Sequence, residues 1–182
     1  MSRKIINTPL SDATIQSLTA GEMVYISGPV YTARDAAHKR LAAMIEAGEP
    51  MPFDFQGQIV YYAGPCPAKP GQVIGSVGPT TSGRMDAYTP ALIEHGLKAM
   101  IGKGLRDEAV RRAVIGHGGV YFAAIGGAAA LMSRCVKSVE MVAFEDLGTE
   151  AIRRLVLEEM PVIVALDSRG RDVYQREGGC ES

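Results

Sequence analysis

Apolar residues in this chain fall into short continuous runs bounded by turn residues, and these runs alternate with stretches of helical period. Glu22 to Gly28 (EMVYISG) reads as a strand ending in Gly-Pro, and YTARDAAHKRLAAMIEAGEP after it reads as a helix. That helix puts Ala37, Leu41, Met44 and Ile45 on one face and stops at Gly48 and Pro50. Gln58 to Ala63 (QIVYYA) is a second strand, and GPCPAKPG beyond it holds too many prolines to be other than a loop. Val73 to Val77 is a third short apolar run. GPTTSGRMDAYTPALIEHG is a glycine-rich turn feeding a helix, with Thr89 expected as N-cap and Pro90 at the first helical position. Ala99 to Ile101 predicts a brief strand, Arg106 to Ile115 a helix with Val110, Ala113 and Val114 inward, and Val120 to Ile125 another strand. GGAAALMSRCV reads as a helix of small residues, in which Gly126 and Gly127 give the backbone room, and Val139 to Phe144 as a strand. Glu150 to Met160 is expected to be an amphipathic helix with Ile152, Leu155 and Val156 on one side. Val162 to Leu166, the turn Asp167-Ser168-Arg169-Gly170 and Asp172 to Tyr174 read as a closing hairpin, followed by a polar tail from Gln175. Strands alternate with helices from end to end, which predicts a layered α/β domain with no internal repeat and no linker.

Composition narrows the classes. The 182 residues are 47% hydrophobic and 21% charged, which excludes disorder, collagen and coiled coil as the main state. Lys+Arg 19 against Asp+Glu 20 gives a net charge of −1, too balanced for a nucleic-acid or anionic-membrane binder on bulk charge. The charge is uneven, however. Residues 28–112 hold ten basic and eight acidic side chains, whereas residues 140–182 hold five and ten. The basic surplus therefore coincides with the glycine-rich loops, where anions are held. The three cysteines, Cys66, Cys135 and Cys180, have no C-x-x-C spacing and no nearby histidine pair, so neither a disulfide framework nor a zinc site is predicted. With no apolar run of roughly 18 residues and no signal-peptide pattern, the expected location is the cytoplasm.

The most informative segment is GSVGPTTSGRMD, Gly75 to Asp86. Thr80, Thr81, Ser82, Gly83 and Arg84 follow Gly78 immediately before a helix, so hydroxyls, backbone N–H groups and a guanidinium can converge on one anion. The glycine spacing is that of a nucleotide phosphate loop, but Arg84 stands where lysine is required, Met85 where a magnesium-holding hydroxyl is required, and Pro79 removes an N–H donor. Nucleotide binding is disfavoured. In TARDAAHKR, Arg34 and Asp35 fall at a strand-to-helix turn, where ligands of α/β sheets bind, and His38 lies three residues after Asp35 on the same helical face. An N-terminal Asp favouring the helix dipole beside a surface Arg and a surface His fits the same residues. Lys103, between Gly102 and Gly104, is a point charge on an open turn, suited to a carboxylate or phosphate or to solvent alone. His117 in GHGG fits an active-site imidazole or a turn equally, His95 fits a helix cap, and Cys66 has no histidine near it in sequence to activate it.

Taken in order, SGPVYTARDAAHKR, YYAGPCPAKPG, SVGPTTSGRMDAYTP, IGKG, YFAAIGGAAAL and FEDLGTEAI make the chain resemble the beta subunit of the class I, iron–sulfur fumarate hydratase and L(+)-tartrate dehydratase family. It is similar to the C-terminal domain of the single-chain enzymes, from about Gly21 to Tyr174. The resemblance implies a three-layer swivelling β/β/α domain over residues 1–175, with 176–182 as a tail. It implies a hydro-lyase that dehydrates a C4 hydroxy-dicarboxylate, malate to fumarate or tartrate to oxaloacetate. Arg34, Arg84 and Lys103 match the family's substrate clamp, with Thr81, Ser82 and Gly83 beside them, and Thr80 matches its proposed catalytic threonine. Asp35, His38 and Asp86 are expected to support these groups one shell away from substrate. The resemblance also implies a four-iron, four-sulfur cluster carried by an alpha subunit, no metal held by this chain, and a homodimer alone or an alpha2-beta2 complex. A non-catalytic domain binding an anion or phosphorylated metabolite is the competing reading.

Overall fold

In the computed structural model, residues 2–125 and 129–175 are described. The predicted tail 176–182, Cys180 and the Gly126-Gly127 pair lie outside them. Seven strands form the sheet: β1 (Ile5–Asn7), β2 (Met23–Thr32), β3 (Ile59–Tyr61), β4 (Ala99–Gly102), β5 (Val120–Ala124), β6 (Val136–Ala143) and β7 (Ile152–Leu166). The helices are α1 (Asp12–Gln16), α2 (Asp35–Glu46), α3 (Thr89–Glu94), α4 (Glu108–His117) and α5 (Ala129–Arg134), with 3₁₀ turns at Ser82–Met85 and Glu145–Glu150.

β2, β3, β4 and β5 pair in parallel, as strands separated by helical or long connections do. β7 then runs antiparallel to both β5 and β2, so the pairings close into a ring: β2, β3, β4, β5, β7 and back to β2. The two longest strands make this possible by changing partners part-way. β2 pairs β1 through Tyr25–Ser27 and β3 through Tyr31 and Thr32, while its other edge lies on β7 from Met23 to Thr32. β7 pairs β6 through Ile152–Leu157 and β5 through Val162–Leu166.

Side-chain alternation sorts the core into two. Val24, Ile26, Ile59, Tyr61, Ile101, Phe122, Leu155 and Val162 form one buried cluster with residues from every strand of the ring, and so occupy its interior. The alternate residues Val60, Tyr62, Met100 and Tyr121 join Ala37 and Leu41 of α2, Leu92 and Ile93 of α3, and Val110 and Val114 of α4 in a second cluster. β3, β4 and β5 are thus apolar on both faces, which is why they read as unbroken apolar runs.

Four sequence expectations are corrected. Glu150 to Met160 is not a helix: Glu150 ends the second 3₁₀ turn, and Ile152 to Met160 belong to β7, one strand of 15 residues. Its buried positions run Ile152, Leu155, Leu157, Met160, Val162 and Val164, with Ala165 and Leu166 buried at its end. The step of three from Leu157 to Met160 spans Glu159, whose φ of 47° interrupts the two-residue alternation opposite a register shift in β2. That irregularity, with the step from Ile152 to Leu155, imitates a helical period. Second, β2 does not stop at Gly-Pro but continues to Thr32, and α2 begins only at Asp35. Gly28 has φ of 111° at the same bulge, and a Cβ there would collide with Thr8 Oγ1, so glycine bends the strand rather than ending it. Third, Tyr88, not Thr89, caps α3; Thr89 is its first residue and is fully buried. Fourth, α4 starts at Glu108, with the Asp107 side chain accepting from the Val110 N–H at 2.9 Å, and Arg106 lies outside it. The closing hairpin reduces to a single antiparallel bridge, Leu166 to Asp172, around a turn organised by the buried Asp167 carboxylate. Val73 to Val77 stays outside the sheet, with Ile74 and Val77 buried.

Candidate functional site

Because β2, β3 and β4 are parallel neighbours in register, their carboxyl ends open on one edge. Arg34 follows β2, the loop from Gly64 to Asp86 follows β3, and Lys103 follows β4. Parallel pairing is therefore what brings three sequence-distant turns together.

The loop after β3 is tied to both neighbours. The Thr80 N–H donates to Tyr62 O at 2.6 Å, and the Ser82 N–H donates to Lys103 O at 2.9 Å beside a parallel bridge between Thr81 and Lys103. Gly102 permits this approach, since a Cβ there would collide with Ser82 Oγ and sit 2.8 Å from Tyr62 Cδ2. Ser82 to Met85 then form a 3₁₀ turn that leaves Thr81, Gly83 and Arg84 exposed while burying Ser82 and Met85. Thr80 is half-buried, and no hydrogen bond among the described residues engages its Oγ1.

Asp35, the first residue of α2, joins the two arginines. Its Oδ1 pairs with Arg84 Nε at 2.9 Å and its Oδ2 stands 3.8 Å from Arg34 Nη2. On its other side Arg34 Nε is 3.8 Å from Glu150 Oε1, and Arg34 Nε, Asp35 Oδ2 and Glu150 Oε1 are all buried without a hydrogen-bond partner. The two guanidiniums and two carboxylates are thus close but incompletely bonded, an arrangement with donors to spare for a carboxylate ligand. Gly64 makes room for Arg34: a Cβ there would be 3.0 Å from Arg34 Cδ and 3.1 Å from Thr149 O.

His38 is fully buried, which rules out the helix-surface alternative. Its Nδ1 lies 2.8 Å from Arg34 O and its ring meets Tyr62 edge-on at 5.2 Å. Burial, with the positive charge of Arg106 adding to it, lowers its pKa to about 4, so the imidazole is neutral at physiological pH and supports the Arg34 turn without adding charge. Asp86 is also buried and turns away from the arginine pair, accepting from Arg106 Nε at 2.7 Å and from the Asp107 N–H at 2.8 Å.

The structure therefore gathers Thr80, Thr81, Ser82, Gly83, Arg84, Asp35, Arg34 and the Lys103 backbone at one edge, with His38 and Asp86 beneath. Sequence reasoning missed Glu150, which it placed in a helix 116 positions from Arg34, and Arg106, which it placed at a helix start; no local pattern marks either. Gly64 was visible only as part of a loop. His117 is an exposed last residue of α4, and His95 caps the end of α3, its ring 6.0 Å from Phe55. Cys66 is exposed and lines a cleft of about 360 Å³ with Pro65, Pro67, Thr149 and Arg153. Cys135, half-buried, precedes β6, and among the described residues no three His, Cys, Asp or Glu side chains gather as a metal site. The described residues, with Cys66 and Cys135 as their cysteines, do not fit an iron–sulfur cluster. No helix among them is long and apolar enough to cross a membrane.

The sequence model of one known family, Fumarase C-terminus, matches residues 2–177. "Fumarate hydratase class I, anaerobic" of Escherichia coli (strain K12) is 36% identical over 175 residues, covering 94% of this chain and 32% of that protein. "Fumarate hydratase 2" of Leishmania major is 38% identical over 158 residues, covering 86% of this chain and 28% of that protein. "Putative L(+)-tartrate dehydratase subunit beta" of Methanocaldococcus jannaschii is 38% identical over 172 residues, covering 91% of this chain and 88% of that protein. The chain spans about a third of the length of the fumarate hydratases it matches. With a family match along nearly its whole length and a relative of similar size at this identity, the chain belongs to the Fumarase C-terminus family.

Proposed function

We propose that this chain is the beta subunit of an iron–sulfur hydro-lyase that reversibly dehydrates a C4 hydroxy-dicarboxylate, and that it supplies the cationic clamp for the substrate. The observation that carries the reading is the pairing of Arg34 and Arg84 through one carboxylate, Asp35, on an edge where the Lys103 turn is bonded to the same loop. Malate, fumarate and tartrate are dianions near neutral pH, and guanidiniums with an ammonium fix both carboxylates in one orientation. Each charge-assisted hydrogen bond so formed contributes roughly 1.5–3 kcal/mol. Asp35 and Glu150 hold the arginines in place and offset part of their charge, which keeps an unliganded cluster of cations from repelling itself apart.

In this reading Thr80 stands beside the bound acid as the group that takes the proton next to the activating carboxylate. A threonine hydroxyl is a weak base unless a neighbouring cation favours its alkoxide, and Arg84 is the cation at hand on the same loop. Thr81, Ser82 and Gly83 add hydroxyl and N–H donors. The ring of strands with helices α2, α3 and α4 on one side supports reading the domain as a three-layer swivelling β/β/α unit. Among the described residues no three His, Cys, Asp or Glu side chains gather as a metal site, and the iron–sulfur cluster is assigned to an alpha subunit, where it would supply Lewis-acid activation. An alpha2-beta2 assembly in the cytoplasm completes the reading. The competing phosphometabolite-binding domain is less well supported, because the loop opens a four-residue 3₁₀ turn and not a helix whose dipole would hold a phosphate.

Co-expression with a cluster-bearing alpha subunit under anaerobic conditions tests this. The complex is expected to interconvert malate and fumarate or to dehydrate tartrate, and the chain alone to turn over neither. Turnover by the isolated, metal-free chain, or a complex inert to every C4 diacid, overturns the proposal.

A further inference from the structure

Arg106 is 4% exposed, and its guanidinium lies under the site without reaching the surface. Its Nε donates to Asp86 Oδ1 at 2.7 Å, and its Nη2 donates to Tyr62 Oη at 3.1 Å and Thr89 Oγ1 at 3.0 Å. Its carbon centre stands 5.1 Å from the Tyr62 ring and 4.8 Å from the Tyr121 ring. Each partner leads to a different part of the clamp. Tyr62 accepts the Thr80 N–H on its carbonyl, and Asp86 ends the turn that carries Arg84. Thr89 starts α3 and donates to Met85 O at 2.9 Å. Tyr121 Oη donates to Gly104 O at 2.7 Å and lies 2.8 Å from Ser82 Oγ, joining the Lys103 turn to the hydroxyl loop.

A buried cation is expensive unless its bonds are worth more than its lost hydration, and here Nη1 is left without a partner. An apolar residue would fill the space at lower desolvation cost and a lysine would carry the same charge as a compact, more strongly hydrated ammonium, but neither would reach Asp86, Tyr62 and Thr89 at once. Only the planar fork of arginine spans three acceptors while stacking on two rings.

We propose that Arg106 is a positioning residue: it holds the Thr80–Asp86 loop against the Gly102–Gly104 turn, so that Thr80, Arg84 and Lys103 meet one ligand in a single register. This rests on the hydro-lyase reading for its consequence in catalysis, but not for its geometry. A charge that merely neutralises Asp86 would be replaceable by removing both charges; a hub would not.

The test uses Arg106→Met with Asp86→Asn, which removes the buried pair together, in the full chain and in its complex with the alpha subunit. In the full chain alone, amide exchange at Thr80 and Ser82 is expected to quicken at least tenfold while the β4 and β7 amides keep their protection. In the complex, kcat/KM is expected to fall at least tenfold at a temperature where melting is unaffected. Should the double variant fail to fold, Tyr121→Phe keeps the Arg106–Asp86 pair and removes one tie; it is expected to quicken exchange at Ser82 by at least threefold. Quickened exchange in a protein whose wild-type complex has no C4 turnover upholds the hub and discards the hydro-lyase reading. Unchanged exchange at Thr80 and Ser82 in the folded double variant, or at Ser82 in Tyr121→Phe, overturns the hub whatever the enzyme does.

Discussion

At the scale of single residues, the site is a problem of neighbouring charges. Arg34 lies between Asp35 and Glu150, whereas Arg84 pairs among the described residues with Asp35 and is more exposed. In the proposed clamp, removing Arg84 would take away one arm, and removing Arg34 would also leave the Asp35 and Glu150 carboxylates facing the proposed dianion. Arg84→Ala is therefore expected to lower kcat/KM of the assembled enzyme about 30-fold, equivalent to about 2 kcal/mol, and Arg34→Ala to lower it further, as steady-state kinetics on the preferred diacid will measure. Near-wild-type values for both would remove the clamp. His38 makes a second, independent prediction. Its pKa is about 4 in the fold against 6.5 when unfolded, so between these values the unfolded chain binds more protons. Stability accordingly rises with pH across that window and is lost as pH falls from 6.5 toward 4, by up to about 3 kcal/mol from this group. Urea unfolding at pH 4.5 and 7.5 should show a smaller difference for His38→Gln than for the wild type; an equal difference would mean that His38 is not the group titrating. Arg34, Arg84 and Thr80 could be picked out in the sequence because glycines and hydroxyls flank them. Glu150 and Arg106 could not, since what makes them matter is a neighbour more than fifteen positions away.

At the scale of elements, the strand ends do the positioning. At Gly102, the last residue of β4, the Ser82 side chain occupies the space where a Cβ would project. Gly102→Ala is expected to push the Ser82 hydroxyl off Tyr121 and the loop off the Lys103 turn, destabilising the fold by about 1–3 kcal/mol and weakening diacid binding in the complex. Thermal melts and KM measured together check this, and an unaltered KM would show that the loop tolerates the shift. The parallel strands were legible because both their faces are apolar. β7 was not, because a bulge at Glu159 spaces its inward residues like those of a helix, and pairing with β2, β5 and β6 overrides whatever local preference Arg153 to Glu158 have. Gly28-Pro29 misled in the opposite direction: in isolation it ends a strand, but against Thr8 and β7 it bends one.

At the scale of the whole molecule, the ring of pairings decides which turns become neighbours. β2 and β7 each serve two strands on one edge, so the chain's two ends close the sheet around one core while α2, α3 and α4 cover the other. The sequence by itself determined that the chain alternates strands and helices, that its basic surplus lies in glycine-rich loops, and that its ordered motifs resemble those of a hydro-lyase subunit. These follow from local spacing and residue chemistry, which act over a few positions. Only the tertiary structure decided that Glu150 to Leu166 carries a closing strand, that Asp35 bridges Arg34 and Arg84, and that Arg106 lies beneath them all. Such facts depend on which distant segments share a sheet edge, and burial and pairing energy settle that across the molecule rather than within any stretch of it.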